Sequence, residues 1–271
     1  MTLRDVPASL APDAVARIDA RLEAIRRDEE VTILLAIESG SRAWGFPSPD
    51  SDYDCRFIFL RRRDDYLSLF PRRDVIETPL EGDMDVNGWD LAKALRLLLK
   101  GNAVVIEWLT SPIVYQGDAP FRAGCLALAG TVAERSLVAR HYLHLGERQR
   151  HAYFADGKTV PLKKLFYALR PAAALRWLRL HPEQAVAPMN FQQLMRECDV
   201  PDAVAGIVAD LVARKAVTRE LGAGPLPAPI AAFIDAEFVA AADHFPLRPV
   251  RPSQAARSAV DAFFRATLAR Y

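Results

Sequence analysis

Gly40-Ser41 and the pair Asp52 and Asp54 are the residues of this chain whose types and spacing suit chemistry, and all four lie within one short stretch. It reads Gly-Ser-Arg-Ala-Trp-Gly from Gly40 to Gly45 and Ser-Pro-Asp-Ser-Asp-Tyr-Asp from Ser48 to Asp54, directly after the apolar run Val31 to Ile37. A Gly-Ser turn that leaves a strand and opens a short helix offers backbone N–H groups and a hydroxyl to phosphate oxygens. Asp52 and Asp54 head a second strand running to Leu60, and at strand spacing their carboxylates project from one face. Two hard anionic ligands beside a phosphate-binding turn suit Mg²⁺ shared between the protein and a nucleoside triphosphate.

Further acids and bases gather around this centre. Asp83, Asp85 and Asn87 fall on one face of the segment Gly82 to Trp89, so spacing alone does not separate the two acids. Asp90 suits the N-cap of a helix from Leu91 to Leu99 better than a metal. Arg56 shares a face with Asp54 and is placed to brace the carboxylates by an ion pair. Arg42 either reaches a phosphate held at the turn or pairs with Asp50. Asp50 itself sits in strong turn chemistry and reads as a turn former. Trp44 reads as a filler between helix and sheet in preference to a base-stacking platform.

Lys163, Lys164 and Arg170 share one predicted helix, with Lys163 and Arg170 on nearly the same face, either as a solvated basic surface or as a phosphate clamp. Arg61, Arg62, Arg63, Arg72 and Arg73 surround Tyr66 and Phe70, but Asp64 and Asp65 interrupt them, which favours a solvated loop over a nucleic-acid surface. His141, His144 and His151 have no Cys or acidic residue at zinc-site spacing.

The elements that position these residues change character along the chain. Val15, Ile18, Leu22 and Ile25 recur at helical spacing within Pro12 to Arg27. Strands are expected at Val31 to Glu38, Asp54 to Leu60, Val75 to Thr78 and Asp83 to Trp89, with an edge piece at Ile113 to Tyr115. After Pro120 the pattern is helical almost throughout: Phe121 to Leu128, Val132 to Phe154, Leu162 to Arg179 with a break or kink at Pro171, Phe191 to Arg196, Ala203 to Leu221, Ile230 to Asp243 and Ala255 to Leu268. Gly222 to Pro229 reads as a loop. The expected class is α+β, with a mixed-sheet domain over 1–118 and a helical bundle over 119–271.

Composition bounds the setting. The 271 residues suffice for a full core, and 51% are hydrophobic, which excludes an extended polar chain. Thirty-five Lys and Arg against 34 Asp and Glu leave no bulk charge to attract nucleic acid, so any basic surface is local. Three scattered cysteines, Cys55, Cys125 and Cys198, argue against a disulfide framework and for a reducing cytoplasm. No leader-like start and no apolar run of membrane-spanning length are visible, so no membrane association is expected. Oligomeric state is not legible.

The string Gly40 to Gly45 with Ser48 to Asp54 resembles the DNA polymerase β-like nucleotidyltransferase superfamily, whose signature is a strand, Gly-Ser, a short helix or loop, and Asp-x-Asp on the next strand. Asp85 to Leu91, Asn102, Glu107-Trp108-Leu109, Ser111 to Tyr115, and Lys163-Lys164 with Tyr167 and Leu169-Arg170 are similar to its RlaP-type branch. The resemblance is dense over residues 31 to 171. It implies Asp85 as a third carboxylate, and two Mg²⁺ ions, with Mn²⁺ as a substitute, held by Asp52, Asp54 and Asp85. It further implies phosphate contacts from Gly40, Ser41, Lys164 and Arg170, the last two from a helical domain that closes the nucleotide cleft. The implied reaction moves a nucleoside monophosphate from a nucleoside triphosphate to an acceptor hydroxyl, with an RNA or tRNA end as acceptor. Transfer to a small molecule or a protein, and a nucleotide-binding regulator without turnover, are the alternatives; the intact Asp52, Asp54 and Asp85 argue against the last.

Overall fold

The computed structural model describes residues 2–154, 159–219, 221–245 and 251–271. Strand β1 (Thr2–Asp5) precedes α1 (Pro12–Asp28), which starts with a proline in its first turn and buries Val15, Ile18, Leu22 and Ile25 as the spacing predicts. Next come β2 (Thr32–Glu38), α2 (Gly40–Trp44), β3 (Tyr53–Leu60), α3 (Arg63–Leu67), β4 (Val75–Glu77) and β5 (Met84–Asp90). Helix α4 (Leu91–Leu99) begins where the Asp90 carboxylate accepts from the Ala92 N–H at 2.7 Å, and α5 (Ala103–Thr110) begins at an equivalent Asn102 cap. There follow β6 (Val114–Asp118), α6 (Ala119–Val132), α7 (Arg135–Tyr153), β7 (Val160–Pro161), α8 (Leu162–Leu180), α9 (Phe191–Glu197), α10 (Asp202–Val217), β8 (Ala223–Gly224), α11 (Ala228–His244) and α12 (Gln254–Arg270).

The fold is α+β. Six strands pair in the order β1-β6-β2-β3-β5-β4, with β3 and β5 parallel and the other pairs antiparallel. Helix α1 covers one face, where Ile18 and Leu22 meet Ala36, Cys55, Phe57, Phe59 and Val86. The opposite face, with Leu35, Ile37, Ile58 and Leu60, packs on the helices. A bulge at Ile33/Leu35 lets Leu34 and Leu35 join the same cluster, which strict alternation would forbid. That cluster continues past residue 118 into the later helices. The chain end returns to the first half: Phe264 of α12 meets Tyr66 edge-on at 5.1 Å, and Phe263 lies 6.1 Å from Phe121.

Four expectations need correction. The segment at Ile113 to Tyr115 is no edge, because β6 lies between β2 and β1. Its outer partner, Thr2–Asp5, is short and mostly exposed, so it lacks the apolar alternation that marks a strand. Helix α8 is not broken at Pro171; buried side chains on nearly every side hold it between α7 and α11, and Gly146 of α7 leaves space for Pro171 and Phe238. Packing outweighs the lost backbone bond. The helix expected to reach Leu221 ends at Val217, with residue 220 outside the described residues, and Gly222 to Pro229 is more than a loop because Ala223–Gly224 pairs with Val160–Pro161. Cys55, Cys125 and Cys198 are buried and free. Among the described residues, no helix is long and apolar enough to cross a membrane.

Candidate active site

Where β2 ends, the chain turns through Gly40 at φ +63°, a left-handed conformation that favours glycine. A Cβ at this position would collide with the Asp54 carboxylate, so the Gly-Ser turn and the Asp-x-Asp strand fit together only without a side chain here. The Ser41 hydroxyl donates to Ser51 Oγ at 2.9 Å, and Ser51 Oγ also accepts from the Ser48 N–H at 2.9 Å. Arg42 turns to the backbone of its own loop and not to Asp50. Its guanidinium donates to the carbonyls of Ser51 (2.6 Å) and Asp52 (3.1 Å) and stacks over the Tyr53 ring at 3.9 Å, fixing the loop that carries Asp52. Gly45, at φ +88°, ends α2, and Gln192 of α9 donates to its carbonyl.

The parallel register sets Asp54 directly opposite Asp85. Arg56 bridges them as the strand spacing suggested, at 3.3 Å from Asp54 Oδ1 and 2.7 Å from Asp85 Oδ2. Asn87 Nδ2 also donates to Asp85 at 2.5 Å. Asp83 precedes the strand and turns to the other face, where it pairs with Arg17 of α1 at 2.8 Å. Burial raises the Asp54 pKa; the Arg56 charge opposes this, and the charges of Asp85 and Asp52 reinforce it.

A cleft of about 130 Å³ lies over this turn, lined by Gly40, Ser41, Asp52 and Asp54 on the sheet side and by Lys163 and Lys215 from α8 and α10. Asp85 is not part of its lining. Among the described residues no group of three His, Cys, Asp or Glu gathers as a metal set. The pair Asp52 and Asp54 nonetheless has the chemistry of a hard-cation site, two carboxylates lining one cleft.

The basic side of the cleft differs from the expected Lys164 and Arg170. The Lys164 ammonium lies over the rings of Tyr167 (4.7 Å) and Tyr153 (5.0 Å). Arg170 is buried, ion-paired to Glu107 at 2.7 Å and stacked over Trp44 at 4.4 Å. Successive helix positions are about 100° apart, which is why Lys163 and not its neighbour enters the cleft. Lys215 escaped notice, although it continues the buried stripe Val204, Val208, Leu211 of α10, where a lysine is out of place in sequence. Its Nζ donates to the Phe46 carbonyl at 2.6 Å, and burial, then the Lys163 charge, lower its pKa to about 8. Asp50 lines the cleft as well; a bond from Ser48, then the two lysine charges, hold its carboxyl below the usual range.

Glu38 is a second residue that the motif left out. It is fully buried at the end of β2, accepts from the Asp54 N–H at 2.9 Å and from the Tyr115 hydroxyl, and burial raises its pKa to about 8. A charged residue closing an otherwise apolar strand was the available signal.

The family described as RlaP, RNA repair pathway DNA polymerase beta family, matches residues 15–266. A protein of Bacillus subtilis (strain 168) described as uncharacterized protein YcgL is 38% identical over 205 residues, which cover 76% of this chain and 78% of that protein. Among solved structures, a nucleotidyltransferase-like protein from Exiguobacterium sibiricum 255-15 aligns over 96% of this chain and 80% of that one at 11% identity and a TM-score of 0.30, a likeness too distant to support any inference.

Proposed function

This chain belongs to the RlaP family of polymerase β-type nucleotidyltransferases, and from that membership we propose that it moves a nucleoside monophosphate from a nucleoside triphosphate to the hydroxyl of an RNA end, releasing pyrophosphate. One observation carries the reading: a single cleft is lined by Asp52 and Asp54, by the Gly40-Ser41 turn, and by Lys163 and Lys215. Carboxylates that accept a cation and lysines that accept an anion are the two halves of a site for a metal-bound triphosphate.

Gly40 and Ser41 hold the β- and γ-phosphates, with the Ser41 hydroxyl turning from Ser51 to a phosphate oxygen. Lys163 and Lys215 balance the charge that builds on the departing pyrophosphate. The family generally uses divalent metal, and Asp52 and Asp54 are the residues to hold Mg²⁺, which when bound neutralises the phosphates and makes the acceptor hydroxyl more acidic. Asp85 is the proposed proton acceptor from that hydroxyl, with Arg56 and Asn87 keeping it in register with Asp54. Lys164 and Arg170 act indirectly, by fixing Tyr167 and Trp44 at the cleft wall. The parts 1–118 and 119–271 supply the carboxylate and the ammonium sides respectively.

Incubating the protein with Mg²⁺ and each labelled nucleoside triphosphate, with and without total tRNA, tests both levels of the proposal. Label transferred to RNA, and lost in Asp52→Asn and Asp54→Asn variants of unchanged circular dichroism, is the expected result. Turnover retained in the double variant would remove the carboxylate pair from the mechanism. Transfer only to small molecules or to protein would reassign the acceptor.

A further inference from the structure

Helices α7 and α8 treat their cations in two ways. Arg150 pairs with Asp235, Arg170 with Glu107, and Arg176 and Arg179 with Glu237. Arg148, Lys163 and Lys164 have no carboxylate partner among the described residues. With 34 acidic residues against 35 Lys and Arg in the chain, a shortage of acids does not explain this. Lys163 lines the phosphate cleft, which leaves Arg148 and Lys164 as cations without an anion.

Their positions form a track. His141, His144, Leu145, Arg148 and Gln149 recur at spacings of three and four and so share one face of α7. Tyr153 continues that face, and the Lys164 ammonium lies over its ring at 5.0 Å. From His141 to Tyr153 the stripe is about 18 Å long. At its far end a surface hollow is lined by His141, His144, Glu147 and Arg148. Nearer the cleft, a cavity of about 270 Å³ takes Leu145 and Gln149 from the same face and shares Trp44 and Tyr167 with the cleft itself. Ser39 also lines this cavity, and its N–H donates to the Asp54 carbonyl at 2.8 Å, so the stripe leads to the strand that carries the carboxylates.

Cations spaced along a line, with aromatic faces at one end, suit a ligand that carries repeated negative charge and flat apolar groups. A single nucleic acid strand has both, whereas a duplex hides the faces of its bases. We propose that the RNA acceptor runs along this face of α7, an inference that rests on the function proposed above. Its backbone phosphates lie at Lys164 and Arg148, His141 and His144 donate to the strand further out, and its terminal nucleoside rests against Trp44 and Tyr167 where the cavity meets the cleft. Lys164 thereby serves the acceptor and not the triphosphate.

Fluorescence anisotropy of a labelled single-stranded RNA of about 12 nucleotides, titrated with the full chain across a salt series, tests the track. Arg148→Ala and Lys164→Ala each lower the affinity about threefold or more and reduce the slope of log affinity against log salt by about 0.7, the share of one phosphate contact on a single strand. Arg150→Ala removes the same charge from the paired side of the same helix and leaves the affinity within about twofold. Calorimetric affinity for tripolyphosphate stays within about twofold in all three variants, which also reports that they fold. Equal losses at Arg148 and Arg150, or slopes unchanged in both Arg148→Ala and Lys164→Ala, overturn the track; transfer of label to RNA by the wild type then stands without it. A wild type that binds no RNA removes the RNA acceptor and the track together.

Discussion

Raising the pH from 6 to 9 will weaken the wild-type fold through Glu38 and will leave a Glu38→Gln variant far less affected. The carboxyl has an ordinary value of 4.5 and stands at about 8 in the folded protein, chiefly because it is buried. Since the folded value lies above the unfolded one, the unfolded chain releases this proton first. The stability tied to it is full below pH 4.5, declines as pH rises, and is lost once pH passes through about 8. Each unit in that window costs about 1.4 kcal/mol, so the step from about pH 6 to 9, which ends beyond the folded value, costs about 2.5 kcal/mol. At a urea slope of about 3 kcal/mol per molar this moves the unfolding midpoint by about 0.8 M. Glutamine keeps an acceptor for the Asp54 N–H and a donor for the Tyr115 oxygen but has no proton to lose. Urea titrations of both proteins across this pH range isolate Glu38, because every other titrating group is common to the two. Parallel pH dependences would refute a neutral, buried Glu38.

Lys215→Met should weaken tripolyphosphate binding by about 1.5–3 kcal/mol, the value of a charge-assisted bond, whereas Lys164→Ala should leave it nearly unchanged. In the wild type that affinity should fall as pH rises past about 8, where the Lys215 ammonium loses its proton, and calorimetry on Lys215→Met should lack this decline. Gly40→Ala should cost about 1–3 kcal/mol in thermal or chemical unfolding from backbone strain and abolish transfer, since the new methyl displaces the Asp54 carboxylate; an active variant would break the proposed coupling of turn and strand. Asp85→Ala should cripple transfer while Asp83→Ala retains it, as a labelled-nucleotide assay on both variants will report, because only Asp85 shares Arg56 with Asp54.

What the sequence determined by itself is local. The Gly40-Ser41 turn, the shared face of Asp54 and Arg56, the Asp90 cap and the buried stripe of α1 all depend on residues a few positions apart, where strand and helix geometry leave little choice. Contacts between distant segments decided the rest. Asp83 and Asp85 share a strand face by spacing, yet only the start of β5 at Met84 and the presence of Arg17 on α1 send them to opposite sides. Lys164 and Arg170 carry the right charge for phosphate, but Tyr153 and Glu107 on other elements, with Tyr167 on their own helix, claim them, and Lys215 reaches the cleft from far along the chain. The protonation of Glu38 depends on how completely α1, β3 and β6 exclude water around it. Burial of that kind is a property of the assembled layers, and no spacing of residues along one segment encodes it.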